Sequence, residues 1–442
     1  MRVLFTIIPA RSHLNQVVPV AWALQSAGHD VRVASNPEMA EAIVAAGLHA
    51  VRLGDEVDLA AMVRAAGTDR RLGDIVQALE LDADDHDRRI ALRHYLLAPF
   101  ALHYPDEPPP GGRALVDELV EFARSWRPDL VLWDGLWFPA PVAARACGAA
   151  QGRLLWGLDH VGWARQRFLE RLRLPGGGPR EDLMAAMTRP TLSRLGMEFD
   201  EELLTGQWSI DPTPVGMRLP VGLRYLSMRW VPYNGAAPLP EWLRKPPERT
   251  RVCLTLGVSE RQFFSDSAPL ISALLEAARS SDIEWVATLD RSQLAELGTL
   301  PDNVRAVDYV PLNQLLPGCS AIIHHGGSGT FVSAVAHRVP QLVIPKEGGD
   351  YANLAKHAVG YGAGIALDRT GLTARDVATA LFRLLNEPSF QDGANALHAD
   401  QLATPTPCDL VPVLEELAGE HTRASSPAPW KEDGDHHPWN GT

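Results

Sequence analysis

Residues Ile322 to Val335 read IIHHGGSGTFVSAV. A short apolar run ends in two histidines, a turn with three glycines follows, and Thr330 opens an apolar helical stretch. That order is a β-strand, a tight turn and a helix N-terminus, with His324 and His325 delivered to the turn. Glycine lets the backbone approach a ligand closely, the free N–H groups of a first helical turn point outward, and the helix dipole favours negative charge there. The segment is therefore read as an anion seat of Gly327, Ser328 and Gly329, with His325 and the Thr330 hydroxyl as side-chain donors. The competing reading is a strand–helix turn that needs glycine only for packing, and the paired histidines weigh against it. No carboxylate lies at metal-ligand spacing, so no metal is expected.

The same rhythm extends outward from this turn. Arg251–Leu256, Ile283–Thr288, Val304–Val307, Ala321–His324 and Leu342–Ile344 are short apolar runs of the kind buried parallel strands carry. Helical stretches alternate with them: 267–280, 312–316, 330–337 and 350–359. Two more strand-end turns face the same edge, Gly257 with Ser259 and the KEGGDY turn holding Asp350. Asp350 either accepts hydrogen bonds from ligand hydroxyls or caps the helix after it, and the two are compatible.

The first half repeats the pattern. Arg2–Ile8, His29–Ser35 and His49–Leu53 read as strands separated by helices, the first offered a cap by Ser12 and stopped at Gly28. Leu130–Trp133 is a further strand, ending at Asp134. His13 follows the first strand, so both lie at one crevice edge, where a carboxylate beside an imidazole would make a general base. A helix-capping histidine and a solvated aspartate are the plainer alternative.

The fold class that follows is α/β, with two Rossmann-like doubly wound domains facing each other. Residues 1–240 form the first, with an irregular segment at 55–112 that carries a charged run and a Pro/Gly break. Residues 251–418 form the second, after a Pro-rich connection and a linker near 240–250, and 424–442 is expected to be a disordered tail. The 442 residues hold 54 acidic against 41 basic side chains, a net charge of −13. That excess opposes non-specific nucleic-acid binding. Cys147, Cys253, Cys319 and Cys408 form no CxxC pair and read as buried small hydrophobes. Without a signal-peptide pattern or a membrane-length apolar run, the expected location is cytoplasmic, with no membrane partner.

Taken together, RVLFTIIPARSHLNQVVPVAWALQSAGHDVRVAS (2–35), WRPDLVLWD (126–134), GQWSIDPTPVGMRLP (206–220), MRWVPYNG (228–235), RVCLTLGVS (251–259) and NVRAVDYVPLNQLLPGCSAIIHHGGSGT (303–330) carry a resemblance. Over roughly residues 1–418 the chain resembles the GT-B glycosyltransferases that move a deoxysugar from a TDP-sugar to macrolide and anthracycline-type polyketides. The resemblance implies an acceptor-binding first domain and a nucleotide-sugar-binding second domain. It implies that His13 is the catalytic base and Asp134 its acidic partner, where many relatives carry Glu. It places His325, Gly327, Gly329 and Thr330 on the diphosphate, Gly257 with Ser259 in a second phosphate loop, and Tyr309 with Val310 against the thymine. Asp350 falls near the sugar-contacting acid, followed by Tyr351 where plant-type hexosyltransferases carry Gln, which suits a donor poor in hydroxyls.

What the resemblance implies for mechanism is a single displacement with inversion, without metal or other cofactor. Its implied partners are the TDP-deoxysugar, a polyketide aglycone, an activator protein resembling a haem-thiolate monooxygenase docking near 55–105, and a second copy of the chain in a homodimer. Two other functions are compatible with these residues: a nucleotide-sugar epimerase of the same fold, and a non-catalytic nucleotide-sugar-binding protein. An NAD-dependent enzyme is disfavoured, since the first strand–turn–helix, PARSHLNQ, has no GxGxxG. Trp137, Phe138, Trp156, Trp163 and Trp230 are candidates for an apolar acceptor cleft or for core.

Overall fold

The computed structural model describes all residues except 68–69, 83–84, 105–113, 175–178, 180, 258–267, 290–298 and 426–442. Two wholly parallel sheets organise it. The first holds β1 (Arg2–Thr6), β2 (Asp30–Ser35), β3 (His49–Arg52), β4 (Leu130–Asp134), β5 (Ala150–Leu154), β6 (Ser209–Asp211) and β7 (Tyr225–Ser227), in the order 3-2-1-4-5-6-7. The second holds β8 (Arg251–Thr255), β9 (Glu284–Thr288), β10 (Val304–Val307), β11 (Ala321–His324), β12 (Gln341–Val343) and β13 (Gly364–Ala366), in the order 10-9-8-11-12-13. Helices cover both faces, so the central strands are buried throughout and read as unbroken apolar runs.

In each sheet the strand order reverses next to the first strand, between β1 and β4 and between β8 and β11. The registers there pair Thr6 with Trp133 and Thr255 with His324. Such switch points open a crevice beyond the strand ends. The first helix begins earlier than expected: it spans Arg11–Ser26, follows Ala10, and has no side-chain cap, so Ser12 lies within its first turn.

β5 is absent from the sequence reading because Gln151, Gly152 and Arg153 do not look like a buried strand. Here Gly152 makes room for the Trp208 ring, into which any Cβ would run. Arg153, wholly buried, donates from both terminal nitrogens to Asp159, at 2.8 and 2.5 Å. Burial opposes the charge of Asp159, but Arg153 more than offsets it and holds the carboxyl below its ordinary pKa. Asp159 also accepts from the Gly162 N–H at 2.8 Å, capping the helix His160–Leu172, and from the Tyr225 hydroxyl at 2.7 Å. The loop after β5 is thereby fixed.

The segment 55–112 is not irregular where it is described. It forms the helices Leu59–Ala66, Arg70–Leu79 and His86–Leu92, a π-turn at Arg93–Leu97 and the helix Ala98–His103. Each is too short to declare itself, and their apolar faces pack on the first core through Leu59, Ile75, Leu79, Leu92, Leu96 and Phe100. The expected span 251–418 also differs in space. The last helix, Pro407–Ser425, returns to the first domain and buries Leu410, Val411, Leu414 and Leu417 against the helix Arg11–Ser26 and its core. Residues 424 and 425 end that helix, and the rest of the expected tail lies outside the described residues. Of the cysteines, only Cys253 is buried; Cys147 and Cys319 are half-buried and Cys408 exposed.

Leu414 is fully buried in this returning helix. Leu414→Ala should cost about 2–5 kcal/mol of stability, measured by urea unfolding. A loss below about 0.5 kcal/mol, the range of a surface substitution, would show the helix to be an accessory.

Candidate functional site

One cavity of about 1080 Å³ lies between the domains, lined from both sheets' crevice edges. On the first domain's side, β1 runs into the turn that carries His13, and β4 ends at Asp134. Because β1 and β4 are neighbours, the two side chains meet: His13 Nδ1–H donates to Asp134 Oδ2 at 2.5 Å. The other carboxylate oxygen accepts from the Leu136 N–H at 3.0 Å, so Asp134 is held from two sides and is 4% exposed. An aspartate committed as acceptor puts the imidazole proton on Nδ1 and leaves the Nε2 lone pair free. The Trp156 ring stands beside His13, with centroids 4.9 Å apart.

On the second domain's side, β11 delivers His325 to the turn before the helix Ser328–Ala336, whose N-cap is Gly327. Gly257 follows the neighbouring strand β8. A Cβ on Gly257 would stand 2.7 Å from His325 Cε1, and one on Gly327 would stand 2.6 Å from His325 Nε2. Glycine is thus required at both positions for the imidazole to lie between the two turns. Gly326 and Gly257 take φ of +90° and +79°, conformations that other residues rarely adopt. Gly327, Ser328, Gly329, Thr330 and His325 all line the cavity, as do Tyr309 and Val310. Ser259 lies outside the described residues.

Asp350 behaves differently from either expectation. It holds the N-cap position of the helix Tyr351–Gly360 without a side-chain capping bond. Its carboxylate instead reaches the first domain, accepting from the Leu158 N–H at 2.7 Å and from His160 Nε2–H at 2.9 Å. Gly157 admits this approach, since a Cβ there would collide with Asp350 Oδ2. Asp350 still lines the cavity, but it is chiefly a bond between the domains. A second such bond joins Asp87 to the Gly348 N–H at 2.7 Å.

Of the five aromatic candidates, Trp156 and Trp230 line the cavity. Trp137 and Phe138 are fully buried core, and Trp163 packs under the Arg88 guanidinium. The cavity wall also includes Tyr95, His103, Lys346 and Arg369, which the sequence reading did not single out. Tyr95 packs edge-on against Trp156 at 4.7 Å and beside His160 at 5.5 Å. The run HYLLAPFALH (94–103), with a histidine at each end of an apolar stretch, was the signal available for this wall.

Burial pushes the pKa of His325 down to about 3, helped by His324, Lys346 and Arg369. It pushes His324 down to about 4 and His103 to about 3, against a bond from Gln341 and the charge of Asp134 respectively. All three are neutral when folded and near 6.5 when unfolded, so below that pH the unfolded chain binds protons that the folded chain does not. Stability should fall as the pH drops from about 6.5 toward 4, by up to about 1.4 kcal/mol per pH unit for each histidine. Urea midpoints at pH 7 and 5 test this: the midpoint should be lower at pH 5, and the difference smaller in His325→Gln. Equal midpoints would contradict the assigned burial.

Comparison with known proteins defines the class. Residues 22–257 match the erythromycin biosynthesis protein CIII-like N-terminal domain, and residues 272–417 match the corresponding C-terminal domain. The chain is 44% identical to the aclacinomycin-T 2-deoxy-L-fucose transferase of Streptomyces galilaeus, over 96% of this chain and 97% of that protein. It is 43% identical to the 10-deoxymethynolide desosaminyltransferase of Streptomyces venezuelae, over 97% of this chain and 100% of that one. Its fold matches the crystal structure of the glycosyltransferase VinC in complex with dTDP, with a TM-score of 0.80 and 36% identity, covering 95% of this chain and 100% of that one. The protein is a two-domain glycosyltransferase. It belongs to the erythromycin biosynthesis protein CIII-like family. Relatives named as transferases do not favour the epimerase or the non-catalytic reading.

Proposed function

We propose that this protein transfers a deoxysugar from a TDP-sugar to a hydroxyl of a polyketide-type acceptor, with inversion at the anomeric carbon. The observation that carries the reading is one cavity with a histidine–carboxylate dyad on one wall and a glycine-rich helix N-terminus with His325 on the other. The relatives' names supply the substrates: deoxysugar transferases acting on macrolide and anthracycline compounds, and a dTDP-bound structural neighbour.

In this reading the acceptor hydroxyl lies against His13 Nε2, which takes its proton as the oxygen attacks the anomeric carbon. Asp134 steadies the imidazolium that forms. The bond from that carbon to the diphosphate breaks, and TDP leaves with its charge held by the N–H groups at Gly327–Thr330 and by His325. Fixed dipoles suit this task because they need no reorganisation as charge develops. Tyr309 and Val310 would face the base. The first domain holds the acceptor, the second the donor, and the Asp350 and Asp87 bonds hold the two together around both.

His13→Ala should lower transfer by at least about 100-fold, the usual worth of a general base, with TDP affinity unchanged. Product mass from TDP-deoxysugars and a panel of aglycones measures the first, and calorimetry the second. Unchanged turnover would defeat the assignment. An activator partner belongs to the same proposal; full-rate transfer by the purified chain alone would remove it.

A further inference from the structure

His103 closes the helix Ala98–His103 and lines the cavity, with only 4% of its surface exposed. Among the described residues neither of its ring nitrogens closes a hydrogen bond; the Pro99 carbonyl, one turn back, acts on the ring without reaching bonding geometry. Beside it, at a centroid distance of 5.3 Å, lies Trp137, whose Nε1 is also buried and unpartnered. Phe138 also packs against the ring, at 6.4 Å, and the cavity that His103 lines takes the apolar Leu59, Met62, Val63, Pro99, Leu102 and Leu136 from the same domain, together with the polar Arg64, Arg93 and His94.

His324 shows what the fold does with a buried imidazole that serves only structure. Its Nε2 bonds the Gln341 side chain at 3.0 Å, and its Nδ1 accepts from the Gly326 N–H at 3.0 Å. His103 has no such satisfaction. An unpaired buried polar group is costly, and one that faces a cavity, as His103 does and Trp137 does not, is placed for a ligand to complete it.

We infer that His103 is an acceptor-binding residue, whose imidazole hydrogen-bonds a keto or hydroxyl oxygen of the bound aglycone and so fixes which hydroxyl reaches His13. This rests on the acceptor reading proposed above. Burial keeps the ring neutral, with one donating and one accepting nitrogen, so it pairs with either kind of oxygen. It takes no proton from the reaction. Its packing on Trp137 and Phe138, in the turn that follows Asp134 at the end of β4, places it on the same side of the cavity as the dyad. A buried polar group that lacks a partner in the free protein orients a ligand, because every wrong pose leaves it unpaired.

The test uses the full chain with His103→Phe and His103→Gln. Binding of TDP, and of a panel of macrolactone and anthracycline acceptors that includes 10-deoxymethynolide and aclacinomycin T, is measured together with the glycosylation position and Tm. His103→Phe should keep or raise Tm and leave TDP affinity unchanged. It should weaken the acceptors that the wild type binds by about 5- to 10-fold, the worth of one hydrogen bond, and scatter the glycosylation position. His103→Gln should recover most of the affinity. Unchanged acceptor affinity and position in a folded His103→Phe overturns the role of His103 and leaves the transferase reading standing. A wild-type chain that binds TDP but no acceptor of the panel overturns both.

Discussion

A carboxylate at the end of one parallel strand meets an imidazole just past the end of its neighbour only where the sheet's winding reverses. Elsewhere a helix crosses over and covers the strand ends. β1 and β4 are that pair in the first sheet, and the His13–Asp134 bond of 2.5 Å is its product. Everything that shapes β4 and its surroundings therefore bears on the pair. The Leu136 N–H fixes one oxygen of Asp134, and the β5 loop, anchored by Arg153 and Asp159, brings Trp156 against the ring of His13.

The second sheet solves a different problem with the same topology. Its switch point, between β8 and β11, carries Gly257 and His325 in the corresponding places. There the neighbouring position is emptied of side chain, so that an imidazole can pack between two glycines with the helix N-terminus beside it. One domain thus presents a histidine–carboxylate pair and the other a glycine-rich helix N-terminus, the proposed proton acceptor and the proposed anion seat. Asp350, donated to by Leu158 and His160, holds them to one cavity. The −13 net charge does not oppose the proposed anion seat, which would rest on local backbone dipoles.

The doubly wound halves were legible because buried parallel strands are short apolar runs, and the glycine turns because glycine alone permits the backbone they need. β5 was not legible, since its Gly152 and Arg153 make sense only once Trp208 and Asp159 are in place. The helices between Leu59 and His103 were hidden by their shortness and by charged breaks, their apolar faces being visible only against the first core. His13, Asp134 and His325 could be named from strand-end position. Asp350's bond across the domains to Leu158 and His160, and the cavity faces of Tyr95 and His103, come from tertiary contacts that no local pattern records. The return of the last helix to the first domain is likewise a matter of packing.

In the proposed mechanism Asp134 keeps the His13 proton on Nδ1, and Asp134→Asn removes that control while leaving the side chain's shape. An amide cannot accept from both the Leu136 N–H and His13 Nδ1–H, so if its oxygen stays with Leu136 its NH2 faces the imidazole and drives the proton to Nε2. kcat should fall by roughly 10²–10⁴-fold, with TDP affinity and the fold unchanged. A variant that turns over at the wild-type rate would contradict that role of Asp134.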